Sequence, residues 1–246
     1  VECCFIDPKG PAFPGAIGID SDNKIAGLAR IASAIKSKGS QAILQIYHGG
    51  RMVEPELIGG RTPVAPSAIA APREGATTPQ ALTGEEVEVM ITKFGDAVNR
   101  AIKAGFDGVE IHAANGYLLD QFFTDYQNQR EDAWGGSLEN RLRLTLEVIR
   151  AVRNKIGREA MLGVRISQGK VNDFQHKWQE GEAGALKVFA LLQEAGVDYI
   201  HITEYKAWLP AFENNDRSLV ELARVGAPDT VIIANGGLDD GERAEE

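Results

Sequence analysis

Cysteine is scarce here: the only two, Cys3 and Cys4, are adjacent in a chain of 246 residues. Neighbouring residues rarely bridge each other, so the chain has no disulfide framework, and this predicts a reducing, cytoplasmic setting. Positive charge is not in excess either. Lys and Arg total 26 against 35 Asp and Glu, a formal net charge of −9, which excludes the basic face a nucleic-acid binder needs. No apolar run approaches the ~18 residues of a membrane-spanning helix, and no basic-then-apolar signal segment opens the chain. Internal repeats, low-complexity tracts and linkers are missing too. The expectation is one domain over residues 1–246 that acts on a small molecule.

What is present is an alternation. Short apolar runs, Gln41–Tyr47, Phe106–His112, Ala160–Ser167, Val197–Thr203 and Thr230–Asn235, are rich in Ile, Val or Leu and too short for typical helices. They read as parallel strands buried on both faces. Between them lie helical stretches at Asp22–Lys38, Thr83–Ala104, Ser137–Ile156, Gly184–Ala195 and Asp216–Arg224. Thr83 precedes Glu86 by three, a capping-box signature. Gly39, Gly105 and Gly196 stand where helix C-caps are expected. Repeated βα order means a parallel sheet with crossover helices. One insertion, Gly49–Leu82, holds five of the ten prolines and reads as an excursion with turns, or a hairpin, above the sheet. Periodicity leaves open whether the sheet is doubly wound or closed as a barrel.

Polar residues at the ends of these runs weigh on that choice. Gln45 and His48, His112, Arg165, His201 and the Asn235-Gly236 pair all fall where a strand gives way to its loop. In an α/β barrel that is the catalytic face. His112-x-x-Asn115-x-Tyr117 is the most suggestive group. Imidazole and carboxamide could both donate to one substrate oxygen and stabilise charge developing there, with the phenol as general acid.

The stretch Ala104–Arg143 resembles the central signature of the old yellow enzyme family of FMN oxidoreductases. It carries an aliphatic strand, His-x-x-Asn, Gly-Tyr-Leu, Asn-x-Arg and Gly-Gly-Ser-x-Glu-Asn-Arg in order. QIYHGGR at Gln45–Arg51, PVAPSAIAAPR at Pro63–Arg73, GVRIS at Gly163–Ser167 and VIIANGG at Val231–Gly237 resemble further family segments. The resemblance implies a (β/α)₈ TIM barrel, with FMN as cofactor and NADH or NADPH as transient hydride donor. It implies that Gln45 donates to the flavin pyrimidine edge and that Arg165 lies near N1 and O2. His112 and Asn115 would hold the oxygen of an activated alkene (an enone, quinone or maleimide-like acceptor), and Tyr117 would protonate its α-carbon. Gly236 and Gly237 resemble half of the phosphate loop, and Cys3 the end of a strand laid against the isoalloxazine. The Gly135–Arg141 motif is expected to be structural.

Matched to the family, the chain opens at the end of barrel strand two and stops in the helix after strand seven. The expectation is therefore an incomplete barrel with unpaired edges, prone to aggregate or to pair between chains, and a homo-oligomer stays open. Residues Gln168–Gly181 depart from the family pattern and leave the substrate pocket undefined. Three rival readings remain: a Schiff-base aldolase using Lys206, a metal-dependent hydrolase using His48, His112 and His201, and a non-catalytic barrel fragment.

Overall fold

The computed structural model describes residues 1–214 and 216–245. Each apolar run becomes a strand, and α2, α4 and α6 start at side-chain caps, Thr83, Ser137 and Ser218. Strand β1 is Cys4–Phe5, followed by a 3₁₀ turn at Asp22–Lys24 and helix α1, Ile25–Lys36. Strand β2 is Ile43–Tyr47. Two short strands, β3 (Val64–Ala65) and β4 (Gln80–Ala81), lie in the insertion before α2, Gly84–Lys103. Then come β5 (Gly108–Asn115), α3 (Leu118–Phe123), α4 (Leu138–Ile156), β6 (Met161–Lys170) and α5 (Gly181–Glu194). The chain continues through β7 (Tyr199–Thr203), α6 (Leu219–Gly226), β8 (Val231–Asn235) and α7 (Gly241–Glu245).

The main sheet has the order β1-β2-β5-β6-β7-β8, and every pairing in it is parallel. Each strand lies beside the next in sequence, with no reversal of order. A doubly wound sheet needs such a reversal, so the succession is that of a barrel wall. β1 and β8 end the sheet and are not paired with each other. Beyond β1, Phe5 pairs with Gly18: Phe5 N–H donates to Ile17 O and Ile19 N–H to Phe5 O, each at 2.9 Å. Sequence reading expected two unpaired edges; among the described residues β8 has no strand beyond it, while β1 meets this short bridge at Phe5.

The core lies between the sheet and its helices. Leu44, Ile46, Val109, Ile111, Leu162, Val164, Ile200 and Ile202 meet Phe94, Val98, Leu144, Val148, Val188 and Phe189 there, all fully buried. The capping box on α2 is complete. Thr83 Oγ1 accepts from Glu86 N–H at 3.2 Å, and Glu86 Oε2 accepts from Thr83 N–H at 2.8 Å. Gly39, Gly105 and Gly196 have φ of 81°, 87° and 93°, the left-handed region that favours glycine after a helix.

Several expectations change. The insertion is no hairpin, because β3 and β4 pair in parallel. The last long helix starts at Leu219 behind a Ser218 cap, later than the expected Asp216. Helix α3 carries no sequence signal long enough to announce it. β8 is not buried on both faces: Val231 is 64% and Ile233 41% exposed. Their register partners are Tyr199 and His201, so they share the inner face of the wall, over which the described residues place no further strand.

Candidate active site

Gln45, His112, Arg165 and His201, expected at strand ends, lie within β2, β5, β6 and β7, because β5 runs on to Asn115 and β6 to Lys170; register explains why they meet. Cross-strand partners point to the same side of a sheet, and the side recurs every second residue. One row runs Gln45, Glu110, Gly163, Tyr199; the next, two residues on, runs His112, Arg165, His201. Both face inward. Gly163 is required in the lower row, since a Cβ there would fall 2.0 Å from the Tyr199 ring.

Glu110, which sequence reading passed over, is the hub of the lower row. Its carboxylate accepts from Gln45 Nε2 at 2.5 Å and meets His201 Nδ1 at 3.0 Å, and Tyr199 lines the same cavity beside it. Burial pushes its carboxyl up, but these partners, His201 first, hold it below the usual carboxylate range. The signal was visible in the run GVEIH, where a carboxylate interrupts an apolar strand. Gln45 thus has one amide N–H committed to Glu110, leaving its carbonyl oxygen and second N–H to turn outward. Val1, Glu2, Ile43, Gln45, Glu110, Arg165 and Tyr199 line a cavity of about 250 Å³.

Above it, His112 is 4% exposed. Burial, reinforced by the Arg165 guanidinium, lowers its pKa to about 3. Its Nδ1 accepts from Ala114 N–H at 3.3 Å, so the neutral ring carries its proton on Nε2. Tyr117 meets this imidazole edge to face, with centroids 5.0 Å apart, and meets Tyr47 at 5.1 Å. Burial raises the Tyr117 phenol, and Cys3 and Glu2 add to the effect. Cys3 itself, 8% exposed, is pushed up to about 11 by burial, which makes it a poor nucleophile.

Arg165 Nη2 donates to Thr203 Oγ1 at 3.0 Å, while its Nε is buried with no partner. A guanidinium N–H left so suits an incoming carbonyl or anionic edge. With the outward groups of Gln45 and the nearby Cys3, these residues fit the pyrimidine end of an isoalloxazine. The two glycines are a different case. Gly236 and Gly237 have φ of 131° and 64°. A Cβ on Gly236 would lie 1.7 Å from Glu204 O, and one on Gly237 2.9 Å from the Trp208 ring. Their smallness already has a packing reason, the loop after β7.

Asn115 is the only non-glycine residue with positive φ, 62°, among the described residues. It follows a register shift in β5 and lines a separate pocket of about 180 Å³ with Lys170, Phe174, Thr203, Glu204 and Tyr205. Thr203, the acceptor for Arg165, stands between that pocket and the inner rows. A larger groove of about 660 Å³, lined by Pro66–Ile69 and Gln129–Asp132, holds none of the strand-end residues. Its volume is no guide to the chemistry.

The rival sites do not assemble. Lys206 is exposed, with Nζ 5.6 Å and 5.9 Å from the Tyr205 and Trp208 ring centroids, where no pocket desolvates it. The three histidines have separate partners: His48 Nε2 lies 4.0 Å from Asp7, His201 meets Glu110, and His112 takes the Ala114 N–H. Arg141 is structural as expected, donating to Phe123 O at 2.9 Å and Gly136 O at 2.6 Å and pairing with Glu180.

Comparison with known proteins gives a consistent answer. The sequence model of the NADH:flavin oxidoreductase / NADH oxidase family matches residues 1–246. Over 208 residues the chain is 58% identical to the NADH:fumarate oxidoreductase of Klebsiella pneumoniae (strain 342), covering 82% of this chain and 22% of that protein. It is 46% identical over 213 residues to the NADH:acrylate oxidoreductase of Vibrio harveyi, covering 85% and 21%. A structure of morphinone reductase in complex with tetrahydroNAD superposes with a TM-score of 0.86 at 32% identity, covering 99% of this chain and 68% of that one. The old yellow enzyme homologue from Zymomonas mobilis does so equally well, with a TM-score of 0.86. The chain thus spans about a fifth of the length of the two curated relatives.

Proposed function

Because the chain belongs to the NADH:flavin oxidoreductase / NADH oxidase family, we propose that it is the FMN-binding part of an ene-reductase. It would oxidise NADH or NADPH and reduce activated alkenes such as enones, quinones or maleimide-like compounds. The FMN that these residues would hold would supply the hydride-transfer chemistry linking the nicotinamide to the alkene β-carbon.

The chain's own residues bind, orient and move the proton. Arg165 and the free groups of Gln45 would hold the pyrimidine edge, with the Arg165 charge favouring electron density at that end. Gly236 and Gly237 would offer backbone N–H groups to the phosphate. His112 and Asn115 would donate to the oxygen of the acceptor's electron-withdrawing group, drawing charge from its double bond. Tyr117 would deliver a proton to the α-carbon.

One observation carries this reading: the proton of His112 is fixed on Nε2. A neutral imidazole with Nδ1 occupied is a standing donor, and its ring packs edge to face against the Tyr117 phenol. Steady-state assays with 2-cyclohexenone and a quinone, using both nicotinamides, test it in the intact protein. Turnover with at least one acceptor is expected. Bound flavin without turnover of any acceptor would sink the proposal.

A second reading has its own support. The two curated relatives share NADH in their names and differ in acceptor, and the chain matches only about a fifth of each. On that reading the matched part accepts hydride from NADH, and the acceptor is reduced elsewhere in the protein. Flavin bleaching by NADH together with no direct reoxidation by enones would favour it.

A further inference from the structure

We propose that the buried Lys170–Asp120 pair is the positioning element for Asn115 and Tyr117, joining strand β6 to helix α3 across the turn that carries both. This rests on the alkene-reduction reading, since it concerns the groups that would hold and protonate the acceptor.

Neither side chain has any exposure, and Lys170 Nζ lies 2.8 Å from Asp120 Oδ1. A buried ion pair is weak evidence for stability, because desolvation offsets most of the attraction. Its placement is more informative. Asp120 sits in the first turn of α3, whose N-cap is Tyr117, and its Oδ2 accepts from Gly116 N–H at 2.6 Å. Lys170 is the register partner of Asn115, beyond the shift where β5 leaves the regular ladder. One carboxylate therefore grips the turn from the helix side, and one ammonium ties that carboxylate to the strand.

The turn needs such a grip. Asn115 holds a φ of 62°, unfavourable for a residue with a Cβ, and such conformations persist only where the surroundings impose them. β6 runs on to Lys170 and supplies the rest of the frame. Ser167 Oγ accepts from Asn115 N–H at 3.0 Å, and Val171 N–H donates to Asn115 O at 3.3 Å.

The test uses the intact protein with Lys170→Met, Asp120→Asn and the two combined. Asp120→Asn alone strands a buried ammonium and can fail to fold. The combined variant replaces the pair with neutral groups of similar size and keeps the question answerable. In it, retained FMN and the rate of flavin reduction by NADH should stay within about twofold of wild type, since neither uses this turn. Affinity for phenolic ligands and the rate of enone reduction should each fall by at least about tenfold, as misaimed reacting groups usually cost that much or more. Hydrogen exchange at Gly116 N–H should quicken in parallel, a readout that needs no turnover. Unchanged exchange, phenol affinity and enone rate in the combined variant would overturn the proposal. Loss of FMN and phenol affinity together would also overturn it, because that pattern marks a general structural role. If the wild type reduces no alkene, the function fails on its own, and exchange at Gly116 still decides whether the pair sets the turn.

Discussion

The rings of His112 and Tyr117 meet at 89° with their centroids 5.0 Å apart. His112 comes from β5 and Tyr117 from the cap of α3, so two elements bring a fixed donor and a phenol to one spot. Edge-to-face contact is a favoured aromatic geometry and holds both rings without using either polar tip.

Tyr117→Phe keeps that contact and removes the hydroxyl. Flavin reduction by nicotinamide should proceed at near wild-type speed, while enone reduction slows by the ~10²–10⁴ that a general acid supplies. Quinones need no carbon protonation and should be affected far less. Stopped-flow traces of the two half-reactions decide it; equal slowing of enone and quinone would mark Tyr117 as structural.

Replacing His112 and Asn115 together by Ala should weaken phenolic ligands while FMN stays bound. Losing one such donor costs ~3 kcal/mol of transition-state stabilisation, so alkene reduction should be suppressed as well. Titration with a substituted phenol, followed at the long-wavelength charge-transfer band, reads the affinity. An undiminished band at unchanged affinity contradicts the assignment.

Acid should destabilise the fold through its buried histidines. Burial lowers His112 to about 3 and His48 to about 4, from an ordinary value of 6.5. Between those limits the unfolded chain binds more protons than the folded one, so stability rises with pH. The contribution is complete above about 6.5 and is lost as pH falls toward the folded values; by pH 5 the loss amounts to roughly 2 kcal/mol per histidine. Urea unfolding at pH 7.5 and pH 5 should show this loss, and His48→Gln should reduce its size. An identical pH slope in wild type and variant would refute the attribution.

Gly236→Ala should destabilise the protein by about 2–4 kcal/mol, the range for severe backbone and steric conflicts. The new Cβ would fall 1.7 Å from Glu204 O, at a φ of 131°. Gly237→Ala, at a φ of 64°, meets the Trp208 ring at 2.9 Å and Tyr205 O at 3.4 Å, and should cost less. Thermal melts rank the two. If neither melt moves while FMN affinity falls, the glycines serve the phosphate rather than the loop after β7.

The amino-acid sequence by itself determined where the strands and long helices lie and which polar residues interrupt the apolar runs, although β5 and β6 run on past His112 and Arg165, which therefore stand within their strands and not at the ends. Those features rest on local pattern: short apolar runs, a capping box at Thr83, and polar residues where each run stops. Motif order carried the family and, with it, the barrel. Tertiary structure alone decided how those residues are used. Glu110 drew no notice in the sequence, and only register set it beside Gln45, Tyr199 and His201. Asn115 and His112 are three residues apart, and it is the register shift in β5 with the left-handed backbone at Asn115 that sets how the second stands relative to the first. Lys170 and Asp120 are separated by fifty residues, and only the approach of β6 to α3 makes them a pair. β8 reads as a buried strand, but burial depends on what lies across the inner face of the wall. Periodicity records which way a side chain points from its own backbone; what it meets there is set by chain segments far away in sequence.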